Sequence, residues 1–396
     1  MGQHSPPLNL GGQALHRTRA GFGRPCPRGN HGPRLGGDMT HAPGAPDEQT
    51  SGFRDAALVE LMARPFEPPR WLRGGRRQTV AGSKIPLRRK RPFELERWTT
   101  SDDDFVRVHV HDGALGRPIV IALHGLEGSV RSGYITRLAD LAFDRDWGML
   151  VPEHRSCGGE MNRSLRGYHS GATEDLQMVV ERVLQRFPGR PIYLFGVSLG
   201  GNMLLKWLGE NGSDVHPDVA GAAAVSPPFD LASSARNADS AMGGLMARVF
   251  MKTLVPKALE KARRYPGSLD EKAIRGARTF EAFDGLVTAP LHGFRDAEDY
   301  WTSQSSRRFL QGVQRPTLVI ASRDDPLNPA STIPEAELGA SPHLVPLVTE
   351  RGGHAAFIAN AGPLGLERWA EERAVCFFEL CEREREAEPT DRQPLS

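Results

Sequence analysis

The chain lacks any apolar run near the ~18 residues that a membrane-spanning helix requires. It lacks a dominant charge: 50 Lys and Arg stand against 48 Asp and Glu, a formal net charge of +2. The molecule as a whole therefore carries no electrostatic signature of a nucleic-acid partner. Cysteine is scarce. Cys26, Cys157, Cys376 and Cys381 share no metal-ligand spacing, and they read as reduced thiols of a cytoplasmic protein. Nothing between Met1 and Asp38 forms the apolar core of a secretory signal. No internal repeat is visible.

What the 396 residues do offer is enough chain for one large α/β domain with insertions and tails. Residues 1–50 are rich in Gly, Pro, Arg and His and bury too little to offset chain entropy, so a disordered tail is expected there. Met39 reads as a candidate start of translation. Residues 51–92 form an arm with a basic run: Arg70, Arg73, Arg76, Arg77, Lys84, Arg88, Arg89, Lys90 and Arg91. Such a run either attracts anionic lipid, a peripheral membrane contact, or lies as a solvated arm over the core. No nucleic-acid motif accompanies it, which favours the arm and excludes a nucleic-acid partner.

From Phe93 the pattern becomes regular. Phe93–Thr99 and Asp104–His111 read as half-buried strands. Six short apolar runs follow, beginning at Ile119, Gly148, Ile192, Val219, Thr317 and Leu344. Bounded by Gly and Pro, they suit strands covered on both faces. Helical spacing separates them at Tyr134–Phe143, Asp175–Phe187 and Ser198–Leu208, and recurs at Leu366–Cys381. This alternation predicts a doubly wound, mostly parallel, eight-stranded sheet. Residues 226–314 contain no buried-strand run and are expected to form a helical cap inserted into a core of residues 93–225 and 315–384. Residues 385–396 read as a disordered tail.

The chemistry concentrates where Ile192-Tyr-Leu-Phe runs into Gly196-Val-Ser-Leu-Gly200 and then into a helical pattern. A serine in that strand–turn–helix context is lifted above the sheet, with helix N-terminal N–H groups behind it. It needs a base, and chain order selects among the histidines. His354, in Gly352-Gly-His354, follows the last strand, whereas His343 precedes that strand and emerges at the wrong end. The orienting acid is expected after the penultimate strand, in Arg323-Asp-Asp-Pro326. Asp325 suits the role better than Asp324, which is expected to bind backbone N–H groups. The N–H groups of Leu199 and Leu126 are the candidate oxyanion donors. His124 either braces the Leu126 loop or is a solvated loop histidine.

Together, His124-Gly-Leu-Glu-Gly-Ser129, Gly196-Val-Ser-Leu-Gly-Gly-Asn202, Arg323-Asp-Asp-Pro326 and Gly352-Gly-His354 closely resemble the YheT-like α/β-hydrolases, bacterial relatives of the abhydrolase-domain lipases and esterases. Phe283-Asp284, Thr288-Ala-Pro-Leu-His-Gly-Phe294 and Ala297-Glu-Asp-Tyr-Trp301 look like that family's cap signature. The resemblance implies the α/β-hydrolase fold, a triad of Ser198, Asp325 and His354, and hydrolysis of carboxylic esters, with lipid or acylglycerol substrates among them. Acyl transfer of this kind requires no metal and no organic cofactor. Two segments depart from the family pattern: Glu153-His-Arg-Ser-Cys-Gly-Gly159 and Gly75-Arg-Arg-Gln-Thr79.

Overall fold

The computed structural model describes residues 48–84, 92–361 and 365–387. The expected tail 1–50 lies outside them except for its last three residues, which open a helix; the basic residues 88–91 lie outside as well.

Eight strands form one sheet: β1 (Glu94–Thr99), β2 (Phe105–His111), β3 (Ile119–Leu123), β4 (Gly148–Glu153), β5 (Ile192–Val197), β6 (Val219–Val225), β7 (Thr317–Ser322) and β8 (Leu344–Thr349). Their spatial order is β1-β2-β4-β3-β5-β6-β7-β8. The pairs β1–β2 and β2–β4 are antiparallel, and every later pair is parallel. The chain passes from β3 to β4 on one side and then to β5 on the other. Such a reversal leaves a crevice beyond the carboxyl ends of β3 and β5.

Why the runs are wholly apolar follows from the layers. Along β3, Val120 and Ala122 pack into one layer while Ile119, Ile121 and Leu123 pack into the other. The first layer is closed by α1 (Glu48–Met62), α3 (Gly133–Phe143) and α13 (Trp369–Ala387), the second by α4 (Glu174–Arg186) and α5 (Leu199–Asn211). Each fully buried Val, Leu or Ile is worth roughly 1.5–3 kcal/mol, so neither face tolerates a polar side chain without a partner.

Between β6 and β7 the regular elements are all helical, among them α6 (Leu231–Ser240), α7 (Leu245–Arg264), α8 (Glu271–Gly276), α9 (Phe280–Phe283), a π-helical turn (Asp284–Thr288), α10 (Ala289–His292) and α11 (Ala297–Gln304). These elements bury a cluster of their own around Met251, Leu254, Ile274, Phe283 and Val287, against which Leu126 of the core packs.

Several local expectations change. Residues 366–368 are strand β10, paired antiparallel to β9 (Ile358–Asn360), and the last helix starts at Trp369 and runs to Ala387. Ahead of the sheet, α2 (Gly75–Lys84) is a regular helix, and α12 (Glu335–Ala340) precedes β8. Helix α1 had no sequence signal because only Ala57 and Leu61 are fully buried; the rest of its surface is mixed. Cys157 and Cys381 carry free thiols. Among the described residues no helix is long and apolar enough to cross a membrane.

Candidate active site

Ser198 sits between the last residue of β5 and the first of α5, with φ 55° and ψ −121°. A side chain is strained in that left-handed region, and the surroundings fix it. Ser198 N donates to Val225 O at 2.8 Å, and Asn202 N donates to Ser198 O at 3.0 Å, the first bond of the helix. The turn has no room to relax: a Cβ on Gly200 would lie 2.5 Å from Leu123 O.

Two loops from the far end of the sheet converge on this serine. After β7, Asp325 Oδ1 accepts the N–H groups of Leu327 (2.8 Å) and Asn328 (3.1 Å), which leaves Oδ2 free to face His354 Nδ1 at 2.9 Å. After β8, His354 Nε2 lies 2.8 Å from Ser198 Oγ. With Nδ1–H donated to a carboxylate, Nε2 carries the lone pair and faces the seryl hydroxyl as a hydrogen-bond acceptor. Asp325 is 8% exposed, so its bond to the imidazole is largely shielded from water. The neighbouring Asp324 turns the other way, and its Oδ1 accepts Gly353 N at 2.9 Å. The two adjacent carboxylates thus do different things: one meets the ring, and the other pins the backbone beside it.

The other candidate histidines stand outside that line. His343 O accepts Thr317 N at the start of β7, the opposite end of the sheet. His292 belongs to the cap and stacks edge-on against His169. His124 is fully buried. His154 N donates to its Nε2 at 3.2 Å, so Nδ1 bears the proton and donates to Gly125 O at 2.8 Å. Burial, with the nearby His154, holds the His124 pKa well below the ordinary value. A neutral ring with both nitrogens engaged is a brace.

That brace shapes the loop after β3. A Cβ on Gly125 would lie 3.2 Å from Ser198 Cβ, so the loop backs directly on the serine. Gly125 N donates to Tyr134 Oη at 2.9 Å. Glu127, at φ 56°, donates its N–H to Tyr168 Oη at 3.0 Å and accepts from Lys257 Nζ of α7 at 2.7 Å. Leu126 lies between these anchors. Leu199 supplies the first N–H of α5, one of the helix-end donors without a partner four residues back.

A cavity of about 190 Å3 opens beside Ser198 and His354. Its walls include Leu126, Phe250, Leu254, Phe283, Leu291 and Trp301, so it is mostly apolar and mostly built by the cap. One carboxyl sits in that wall. Asp284 accepts from Thr288 Oγ1 at 2.6 Å and from Trp301 Nε1 at 2.8 Å, and burial pushes its pKa up to about 6. Among the described residues no group of three or more His, Cys, Asp or Glu is placed to hold a metal ion.

Several supports were invisible in the sequence. Thr79 Oγ1, on α2, accepts the backbone N–H of His354 at 2.8 Å. Ser226 Oγ accepts Ala355 N at 3.2 Å, and Ser226 O accepts Asn328 Nδ2 at 2.9 Å, which ties the two loops together. Thr79 closes the Gly75–Thr79 segment that departs from the family pattern, whereas Ser226 and Asn328 belong to no motif, and all act through single hydrogen bonds across long loop closures.

Residues 118–361 match the family model described as the alpha/beta hydrolase fold. The chain is 35% identical over 283 residues to YheT of Escherichia coli (strain K12), a protein named for esterase activity, across 70% of this chain and 82% of that one. It is 28% identical to phospholipase ABHD3 of Mus musculus, across 77% and 71%. It is also 28% identical to the monoacylglycerol lipase of Saccharomyces cerevisiae, across 67% and 59%. A seryl hydroxyl, an imidazole and a buried carboxylate in one hydrogen-bonded line, on a sheet of this order and beside an apolar cavity, agree with those matches: the chain belongs to the α/β-hydrolase family, among its YheT-like, esterase- and lipase-type members.

Proposed function

We propose that this chain hydrolyses carboxylic esters, with lipid or acylglycerol esters as its substrate class, through Ser198, His354 and Asp325. His354 Nε2 takes the Ser198 proton as Oγ attacks the ester carbonyl. The N–H groups of Leu126 and Leu199 hold the oxyanion, and Asp325 steadies the imidazolium. The same nitrogen then protonates the leaving alcohol, and a water activated by His354 resolves the acyl-enzyme. The observation that carries the reading is the pair of short contacts, 2.9 Å from Asp325 Oδ2 to His354 Nδ1 and 2.8 Å from His354 Nε2 to Ser198 Oγ.

The substrate class rests on the apolar cavity beside the serine, which fits an acyl chain better than a polar acyl group. The names of the relatives point the same way: phospholipase and monoacylglycerol lipase. A series of p-nitrophenyl esters of increasing acyl length, assayed beside Ser198→Ala, tests it. Turnover that the variant loses by about 10^6-fold supports the reading. No turnover at any length would return the chain to its rival, a binding scaffold that keeps the fold without the chemistry.

A further inference from the structure

The support that α2 gives to His354 accounts for only half of that helix. Its inward face is Gly75, Gln78, Thr79 and Gly82, spaced three and four apart. Gln78 is fully buried, donates to Ile358 O at 3.0 Å and accepts Ile358 N at 2.9 Å. Thr79 bonds to His354 N, and Gly82 O accepts from Arg368. These contacts fasten α2 to the loops at the carboxyl edge of the sheet.

The other half has no such explanation. Arg70, Arg73, Arg76 and Arg77 are exposed, and Trp71 is 59% exposed beside them. Among the described residues none of these four arginines makes a side-chain hydrogen bond or an ion pair. Arg76 and Arg77 lie in the first turn of α2, where the positive end of the helix dipole disfavours cations, and Arg73 lies just ahead of it. The sequence extends the bias: Arg70, Arg73, Arg76, Arg77, Lys84, Arg88, Arg89, Lys90 and Arg91 are nine basic residues in a stretch with no acidic one. In a chain whose net charge is only +2, that concentration is a local feature. An arm that merely covered the core would not need it.

We propose that the outward face of α2 and the turn before it, centred on Trp71, Arg73, Arg76 and Arg77, docks on an anionic lipid surface. A partner must be negative to neutralise four unpaired guanidinium groups, and it must offer an apolar boundary for an exposed indole. A phospholipid surface supplies both: phosphate and anionic headgroups for the arginines, and the interfacial zone where tryptophan settles. Nucleic acid fits less well, because single-strand binding grooves rely on several aromatic side chains to stack bases, and here there is one. The placement also has a consequence. The inward face of the same helix holds the His354 loop, so the docking face lies at the edge of the sheet where Ser198 meets His354. The lipid side of this inference rests on the proposed ester hydrolysis; the charge argument stands without it.

The test is sedimentation of the full chain with vesicles. One set is phosphatidylcholine alone, and the other is equal parts phosphatidylcholine and phosphatidylglycerol. The chain should bind only the anionic set, and raising salt from about 0.1 M to about 1 M, which shortens the screening length from about 10 Å to about 3 Å, should release it. The triple variant Arg73→Gln, Arg76→Gln, Arg77→Gln should bind about a hundredfold more weakly, since each such charge contributes several-fold near an anionic surface. It should hydrolyse a soluble short-chain ester at the wild-type rate. Trp71→Ala should weaken vesicle binding without changing the salt response. Equal binding to both vesicle sets, no binding to either, or unchanged binding by the triple variant overturns the proposal. So does tighter binding to a single-stranded oligonucleotide than to anionic vesicles at the same salt. Ser198→Ala should sediment like the wild type, so a chain that binds vesicles and hydrolyses no ester would sink the proposed activity and leave this surface standing.

Discussion

Thr79 Oγ1 accepts the backbone N–H of His354 at 2.8 Å, joining residues 275 positions apart in the chain. The hydroxyl is itself oriented, because it donates to Gly75 O at 2.8 Å one turn earlier in α2. A segment outside the sheet thus sets the height of the imidazole over the serine.

Replacing that hydroxyl by a methyl keeps the shape and removes the acceptor. Thr79→Val should cost about 1–3 kcal/mol of stability, the price of a half-buried N–H left without a partner. It should also lower kcat more than it raises KM, because a displaced imidazole affects proton transfer before it affects acyl binding. Thr79→Ser should behave as wild type. Denaturant unfolding and ester kinetics on the three proteins measure both effects.

The two adjacent aspartates separate cleanly in their contacts, and they should separate in kinetics. Asp325→Asn keeps the volume but offers an amide where the imidazole N–H needs a carboxylate. A fall in kcat of about 10^4-fold is expected, with little change in melting temperature. Asp324→Asn weakens the anchor on Gly353 N (2.9 Å) and touches neither the ring nor the serine. Its effect should be mainly on stability, with kcat within about tenfold of wild type. Equal losses of kcat in the two variants would mean that the ring is not oriented by Asp325.

The cap and the Leu126 loop are joined by one ion pair. Lys257 Nζ, on α7, donates to Glu127 Oε1 at 2.7 Å, and Tyr168 Oη donates to the same oxygen at 2.9 Å. Lys257→Met keeps the long stem and loses the charge, so Glu127 is left with fewer donors and the peptide N–H of Leu126 is less well fixed. A drop in kcat of about tenfold to a hundredfold is expected, with Lys257→Arg recovering most of it. A variant whose only defect was a raised KM for long acyl esters would assign Lys257 to the cavity wall and not to the loop.

Asp284 should give the cap a distinctive pH response. Its ordinary pKa of 3.8 is raised to about 6 by burial, against hydrogen bonds from Thr288 and Trp301 that lower it. Between those two values the folded chain keeps a proton that the unfolded chain has released. Its contribution to stability is therefore complete below about pH 4 and is lost as pH rises through about 6. Asp284→Asn cannot titrate and offers a single acceptor oxygen, so it carries a constant loss of about 1 kcal/mol from one missing bond. Relative to wild type, the variant should gain stability from about pH 4 to about pH 7 and then stay level. Melting curves across that range, with a flat difference throughout, would show that the carboxyl is not protonated in the cap.

How far the sequence went can be seen residue by residue. Six of the eight strands were legible because a sheet covered on both faces leaves uninterrupted apolar runs, as at Ile119–Leu123 and Val219–Val225, where every residue is buried, and β1 and β2 through the alternation of a half-buried strand. The strand–Ser198–helix junction was legible because its geometry admits few residue types. Chain order brought out Ser198, Asp325 and His354, and the fold sets their side chains within 2.9 Å in sequence along one line. What escaped depends on single contacts. Helix α1 buries two residues fully, Thr79 acts through one hydroxyl, and the Glu127–Lys257 pair spans 130 positions. Strand β10 reads in the sequence as the start of the last helix because a three-residue strand has no period to show.

The most direct measurement is the site of covalent capture. The full chain is treated with a fluorophosphonate, digested, and the modified peptide located by tandem mass spectrometry. The account predicts one stoichiometric adduct on Ser198, lost in Ser198→Ala and formed at least about a hundredfold more slowly in His354→Gln. An adduct on any other residue, or labelling that proceeds unchanged without the His354 imidazole, would contradict it.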